Sequence, residues 1–376
     1  MGVAVIWMVC SHQSIEAFYQ GVRPMPKEHV IAMDTHSQTV EMCVKTRANG
    51  PGRWFHVPTR VPEMVGVLEQ VPGRKVVVME EGPLADWLMR SLKGHADQVV
   101  ACDPRRNAYV AKDGDKSDPI DAGKLADLYL GGFTRLVHHP ESLARVVLKE
   151  AVGLYHRQVE ERVARANQVM GLLKRWGLMA RQKDFQSAED RAKWLGLLPA
   201  GAEGQAAADH IRLLWRSYDQ AVEEEEHLHG ELVRLAKQEE VVARFEKVPG
   251  IGWIRGITVL AYLDTPWRFA SKQKLWKYMG IGLVREQSGS SRGHVKVEKG
   301  CNRRLKNVII GAAETVLLRQ KGVLYERYQA WRAAGLSHKN ARRNVARDIA
   351  TILWALWKSG ADYDERLIGG RPVGLA

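Results

Sequence analysis

Cysteine is scarce: only Cys10, Cys43, Cys102 and Cys301 occur in 376 residues, and no two form a CxxC pair. That argues against a disulfide framework or a zinc ribbon and suits a reducing cytoplasm. Long apolar runs are missing too, since none reaches the roughly 18 residues a membrane helix needs. The opening stretch from Met1 to Cys10 is apolar only briefly and lacks a basic n-region, unlike a signal peptide. Residues 1–27 read as a loosely ordered leader, and residues 361–376 as a tail. Acid is in deficit as well. Lys and Arg total 56 against 43 Asp and Glu, a net charge of +13. The deficit is concentrated, because residues 301–347 carry eleven Lys/Arg against only Glu314 and Glu326. Such a surplus points to a polyanionic partner, nucleic acid before a membrane. With 45% hydrophobic and 26% charged residues, the chain is globular and long enough for two or three domains.

What is present falls into three regions. Over residues 28–140 the pattern is α/β. His29–Asp34 and Thr39–Val44 read as strands, and Asn49-Gly-Pro-Gly52 turns the chain into Trp54–Val57. Pro62–Gln70 and Leu84–Leu92 predict helices. Lys75-Val-Val-Val-Met79 is a continuous apolar strand of the kind covered on both faces, and Gln98–Ala101 is another. Three strands followed by alternating helices and strands is the element order of a ribonuclease-H-like domain. After Asp121 no further strand is expected. Residues 141–240, rich in Leu, Ala, Glu, Arg and Gln, predict long amphipathic helices, a coiled-coil connector. There Glu223–Glu226 reads as a solvated helix face, and His227 and His229, two apart, diverge on a helix. Residues 241–360 predict a third, mostly helical domain.

Three constellations in this chain could carry chemistry. Asp34 ends the first strand, Glu80 ends the central apolar strand, and Asp118 and Asp121 lie in Lys116-Ser-Asp-Pro-Ile-Asp-Ala122. Like charges gathered at strand ends cannot all stay ionised without a cation, so the four acids predict a site for Mg²⁺ or Mn²⁺. Glu81 rivals Glu80, with one residue of register between them. Asp118 and Asp121 also fit a helix start around Pro119. The run Gly250-Ile-Gly252…Gly256 is either a helix-hairpin-helix turn whose backbone approaches a phosphate or a tight turn between packed helices. Finally, Gly282–His294 with Gln287-Ser-Gly-Ser-Ser291 reads as an exposed Ser/Gly loop flanked by Arg and Lys, able to present a hydroxyl beside phosphates.

Taken together these pieces resemble the DEDD transposases of the IS110 and IS1111 insertion-sequence group. The residues that carry the resemblance are Asp34, Met79–Leu84, Pro104-Arg105-Arg106, Lys116–Ala122, Pro249–Gly252, Gly280–Leu283, Gln287-Ser288-Gly289 and Lys299–Leu305. The likeness spans residues 28–360. It implies a Holliday-junction-resolvase-like domain, a coiled-coil connector and a C-terminal transposase domain with a nucleophilic serine. By resemblance Asp34, Glu80, Asp118 and Asp121 are the metal-binding catalytic acids and Ser288 the nucleophile, with Ser290 and Ser291 as alternatives. Glu81-Gly-Pro departs from the commoner Ala-Thr-Gly after the glutamate. Arg105, Arg106, Arg285, Arg292, Lys296, Arg303, Arg304, Arg342 and Arg343 are the expected nucleic-acid contacts.

The function implied is RNA-guided recombination of donor and target DNA in the bacterial cytoplasm, at the nucleoid. The guide is a structured non-coding RNA encoded by the element, called a bridge RNA, and the protein acts as a homo-oligomer, a dimer or tetramer. Two rivals stand beside it: a hydrolytic Mg²⁺-dependent junction endonuclease, and a non-catalytic nucleic-acid-binding protein.

Overall fold

A computed structural model describes residues 28–105, 117–286, 294–297 and 300–369, in two compact units divided between Glu141 and Ser142. The leader, Arg106, Ser288, Ser290, Ser291 and Arg292 lie outside the described residues. The N-terminal unit is a mixed α/β domain and the second is mostly helical.

In the first unit the elements run β1 (His29–Thr35), β2 (Thr39–Lys45), β3 (Arg53–Pro58), α1 (Val61–Glu69), β4 (Lys75–Glu80), α2 (Ala85–Ser91), β5 (Gln98–Cys102), α3 (Asp118–Leu130) and β6 (Leu136–Val137). The sheet order is β3-β2-β1-β4-β5-β6. β1, β2 and β3 pair antiparallel, whereas β4 lies parallel to both β1 and β5. Asn49 adopts the left-handed conformation, φ 55°, which its short polar side chain tolerates in the β2–β3 turn. The apolar run of β4 is explained by cover on both faces. Ile31, Met33, Val77 and Met79 pack with Met64, Val67 and Leu68 of α1 and Leu88 of α2. Val30, Ala32, Val76 and Val78 pack with Leu125 and Ala126 of α3. Strand parity therefore assigns each residue to a face.

β6 departs from the expectation that strands end at Asp121. It pairs antiparallel with β5 through only Ala101↔Val137 and Cys102↔Leu136, too short a stretch to leave a periodic signal.

The second unit is built on two long antiparallel helices, α4 (Leu143–Arg175) and α6 (Ala202–Gln238). Arg145 reaches Glu239 at one end, Arg162 pairs with Glu225 at 2.5 Å midway, and Ala166, Val169 and Leu173 meet Ile211, Trp215 and Tyr218 at the other. Glu225 thus faces α4, while Glu223, Glu224 and Glu226 are solvated as expected. The far end has its own core around Phe185, closed by α5 (Ala188–Gly196), whose Arg191 grips Asp219 through two bonds of 2.6 and 2.5 Å. The near end is different. Leu148, Val152, Leu232 and Ala236 belong to the large core of the helices that follow: α7 (Glu240–Glu246), α8 (Trp253–Leu263), α9 (Lys272–Tyr278), α10 (Arg303–Arg319), α11 (Val323–Ala333) and α12 (His338–Ser359). Between α9 and α10, β7 (Leu283–Glu286) and β8 (His294–Val297) form an antiparallel hairpin, where a simple exposed loop was expected. Among the described residues no helix is long and apolar enough to cross a membrane.

Candidate functional site

The site is built from the C-terminal ends of two parallel strands and the N-terminus of one helix. Met33 pairs with Met79, so Asp34 and Glu80 are the next residues along neighbouring strands. Both share the parity of Val30, Ala32, Val76 and Val78, the face that α3 covers. Glu81 has the opposite parity, and its carboxylate accepts from His139 Nε2 at 2.6 Å; the other ring nitrogen meets Asp86 at 2.5 Å. That clamp, around a ring only 4% exposed, separates Glu81 from the Asp34 face.

α3 begins at Asp118 with Pro119 in its first turn, behind the extended Ser117, so Asp118 and Asp121 both sit in that first turn. Carboxylates there are favoured by the helix dipole. Three contacts fix where α3 sits. Lys45 of β2, nearly buried, pairs with Asp127 at 2.7 Å, and the backbone N–H of Asn49 donates to the same carboxylate at 2.8 Å. Trp54 of β3 donates its indole N–H to the Pro119 carbonyl at 3.2 Å.

The outcome is a convergence of Asp34 and Asp118 with His36, a residue that sequence reasoning missed. Ligand atoms of all three lie within 4.8 Å of one another, the one such His/Cys/Asp/Glu group among the described residues. His36 Nε2 is 3.3 Å from Asp34 Oδ2 and 3.5 Å from Asp118 Oδ2. Burial lifts the Asp34 carboxyl above its ordinary range; His36 opposes this, and Asp118 and Asp121 add to it. Asp121 is thus close enough to Asp34 to repel it, whereas Glu80, on the adjacent strand end, stands outside the three-residue group. A set of oxygen donors with mutually repelling charges fits a hard divalent cation.

In the second unit Gly250 has φ 85°, and a Cβ there would lie 2.3 Å from the Ala312 carbonyl oxygen of α10. A Cβ on Gly256 would meet Val242 Cγ1 at 2.9 Å. Close packing accounts for both glycines. Gly252 is open, with nothing within 4 Å, at the start of α8. Of the expected nucleic-acid contacts, Arg105 and Arg303 are exposed. Arg304 donates to the Tyr262 hydroxyl at 2.6 Å, Arg342 pairs with Glu314 at 2.8 Å, and Arg343 reaches Asn340 at 3.4 Å. Arg285 and Lys296 lie on the facing strands β7 and β8. Arg347 is inside, donating to the Ile281 carbonyl at 2.8 Å.

Residues 242–329, from α7 into α11, match the model of the Transposase IS116/IS110/IS902 family. Similarity to relatives runs much further. The transposase for insertion sequence element IS1111A of Coxiella burnetii is 23% identical across 93% of this chain and 95% of its own length. Over nearly its whole length, then, the chain is similar to transposases of insertion sequences. A second family-like relative, the y4pF/y4sB protein of Sinorhizobium fredii, is 22% identical across 94% of this chain and 90% of its own length. An insertion element IS116 protein of Streptomyces clavuligerus is 25% identical over 41% of this chain and 36% of its own. The family match covers the packed Gly250 turn and most of the basic stretch, and the longer similarities take in the carboxylate centre.

Proposed function

We propose that this chain is the DNA recombinase of an insertion sequence, guided by an RNA that the element encodes and acting through a covalent phosphoserine. The observation that carries the reading is the meeting of Asp34 and Asp118, 84 positions apart, at one end of a sheet ordered β3-β2-β1-β4-β5-β6, which supports the ribonuclease-H-like expectation. Asp34, Glu80, Asp118 and Asp121 would hold Mg²⁺ or Mn²⁺, which when bound would stabilise charge on a phosphodiester undergoing in-line displacement.

The remaining chemistry belongs to the chain itself. Ser288, between β7 and β8, is the nucleophile: its oxygen forms an ester with the scissile phosphate as the sugar oxygen leaves, and resealing reverses the exchange. The ester conserves the phosphodiester energy, so rejoining needs no external energy source. Arg285, Arg292 and Lys296 neutralise charge that develops on the phosphate. Arg105, Arg106, Arg303, Arg304, Arg342 and Arg343 bind DNA and guide RNA. The protein works as a dimer or tetramer, with the long helices as contacts. The protein works on the nucleoid in the bacterial cytoplasm.

Reaction with end-labelled element DNA and guide RNA tests the reading. A protein–DNA adduct mapping to Ser288 is expected, absent in Ser288→Ala, with cleavage abolished in Asp34→Asn and Asp121→Asn. Metal-dependent cleavage with no adduct at any stage would replace the covalent route by hydrolysis.

A further inference from the structure

We infer that His36 is a nitrogen ligand of the carboxylate centre and biases it toward Mn²⁺ over Mg²⁺; this rests on the metal-binding reading above. The imidazole is delivered by backbone geometry. His36 follows the last residue of β1 and lies two positions from Asp34, so strand alternation directs both side chains to one side. Its backbone is pinned on both flanks: His36 N–H donates to the Thr39 carbonyl at 3.0 Å, and Thr59 Oγ1 donates to the His36 carbonyl at 2.7 Å. The ring itself is half exposed, so packing does not account for its orientation.

The distances favour ligation over simple pairing. Charge-assisted hydrogen bonds contract to about 2.7–2.9 Å, yet Nε2 stands 3.3 and 3.5 Å from its two carboxylate oxygens. Neighbouring ligands of an octahedral ion with bonds of about 2.1 Å are separated by about 3.0 Å, so Nε2 stands within about 0.5 Å of the spacing it would have to either carboxylate oxygen on a shared ion. Imidazole nitrogen is a borderline donor that suits transition metals, whereas Mg²⁺ keeps to oxygen and sheds water reluctantly. A set of carboxylates plus one imidazole therefore discriminates between the two ions.

The test uses the full-length, untagged chain titrated with Mn²⁺ or Mg²⁺, with electron spin-echo envelope modulation of the bound Mn²⁺. Wild type should show nitrogen coupling from a coordinated imidazole. His36→Gln should lose that coupling and bind Mn²⁺ at least about tenfold more weakly, with Mg²⁺ binding little changed. Asp34→Asn identifies the site by removing the bound Mn²⁺. Mn²⁺ that is lost in Asp34→Asn, yet shows no nitrogen coupling and unchanged affinity in His36→Gln, would overturn the role of His36 and leave the carboxylate centre standing. Absence of any Mn²⁺ that Asp34→Asn removes would overturn the centre itself, and this inference with it.

Discussion

Lys45 ties α3 to β2, and replacing it by methionine should loosen α3 without touching a candidate catalytic group. The Lys45 side chain is 8% exposed and its partner Asp127 26%, with 2.7 Å between nitrogen and oxygen. At an effective dielectric of about 20, the Coulomb attraction at that distance is about 6 kcal/mol. Desolvation of the two ions cancels roughly half of it, and water that still reaches Asp127 softens the loss, leaving about 2–3 kcal/mol for Lys45→Met. Native-state hydrogen exchange read by mass spectrometry on residues 118–130 would report the loss where it occurs. Protection should fall roughly 30- to 150-fold there, since about 1.4 kcal/mol is a factor of ten. Strand cleavage should drop as well, because Asp118 and Asp121 ride on the same helix. The double variant Lys45→Met/Asp127→Leu should recover most of the protection, as an apolar pair replaces the ions and the exposed Asn49 N–H turns to water. Unchanged protection in Lys45→Met, or a double variant no better than the single, would refute the assignment of this pair as the tether of α3.

Other sites give independent tests. Burial draws the His139 pKa down, but the Glu81 and Asp86 carboxylates outweigh it, so the folded value lies above the ordinary 6.5. Protonation therefore stabilises the N-terminal unit fully below about pH 6.5, and that contribution disappears as pH rises through the raised value. Thermal melts across pH 5.5–9 should show the decline, and His139→Ala should flatten it. Gly250→Ala forces a left-handed alanine into the Ala312 carbonyl and should cost about 2–5 kcal/mol, seen as lower urea resistance of the C-terminal helices. Cys43 and Cys102 are buried and pushed up to about 11, so iodoacetamide at pH 8 should label neither until urea is added; prompt native labelling of either would contradict their placement.

Local pattern made much of the first unit legible. The Val76–Val78 run announces a strand covered on both faces, and Asp34, Glu80, Asp118 and Asp121 are conspicuous because acids at element ends near such a strand are costly. His36 escaped because a single histidine after a strand end resembles any surface residue. The available signal was the Asp-x-His spacing, which places both side chains on one side. Choosing between Glu80 and Glu81 required knowing that Met79 pairs with Met33, and that His139, 58 positions on, takes the second glutamate. The Gly250 turn stayed ambiguous for the same reason, since its close neighbour Ala312 is 62 residues away. Composition likewise counted Arg347 as surface charge, although it is buried against Trp276 and the Ile281 carbonyl. The Glu80/Glu81 choice, the Gly250 turn and Arg347 each turn on a contact between distant parts of the chain, where periodicity and propensity are silent.

The helical pair α4/α6 is anchored at one end in the core of the family-matched segment and carries a separate small core at the other. The 33-residue α4 is about 50 Å long, and the two cores, at Leu148/Val152 and at Ala166–Leu173, are centred about 30 Å apart along it. Such a pair is a lever. A 5° tilt at the anchored core would sweep the far end of α4 through roughly 3 Å, about the spacing of successive base pairs, while the aromatic cluster around Phe185 keeps that end from fraying. A small rearrangement in the core around the Gly250 turn would be magnified at a distance, and substitutions in the Phe185 cluster should blunt such a sweep without disturbing that core.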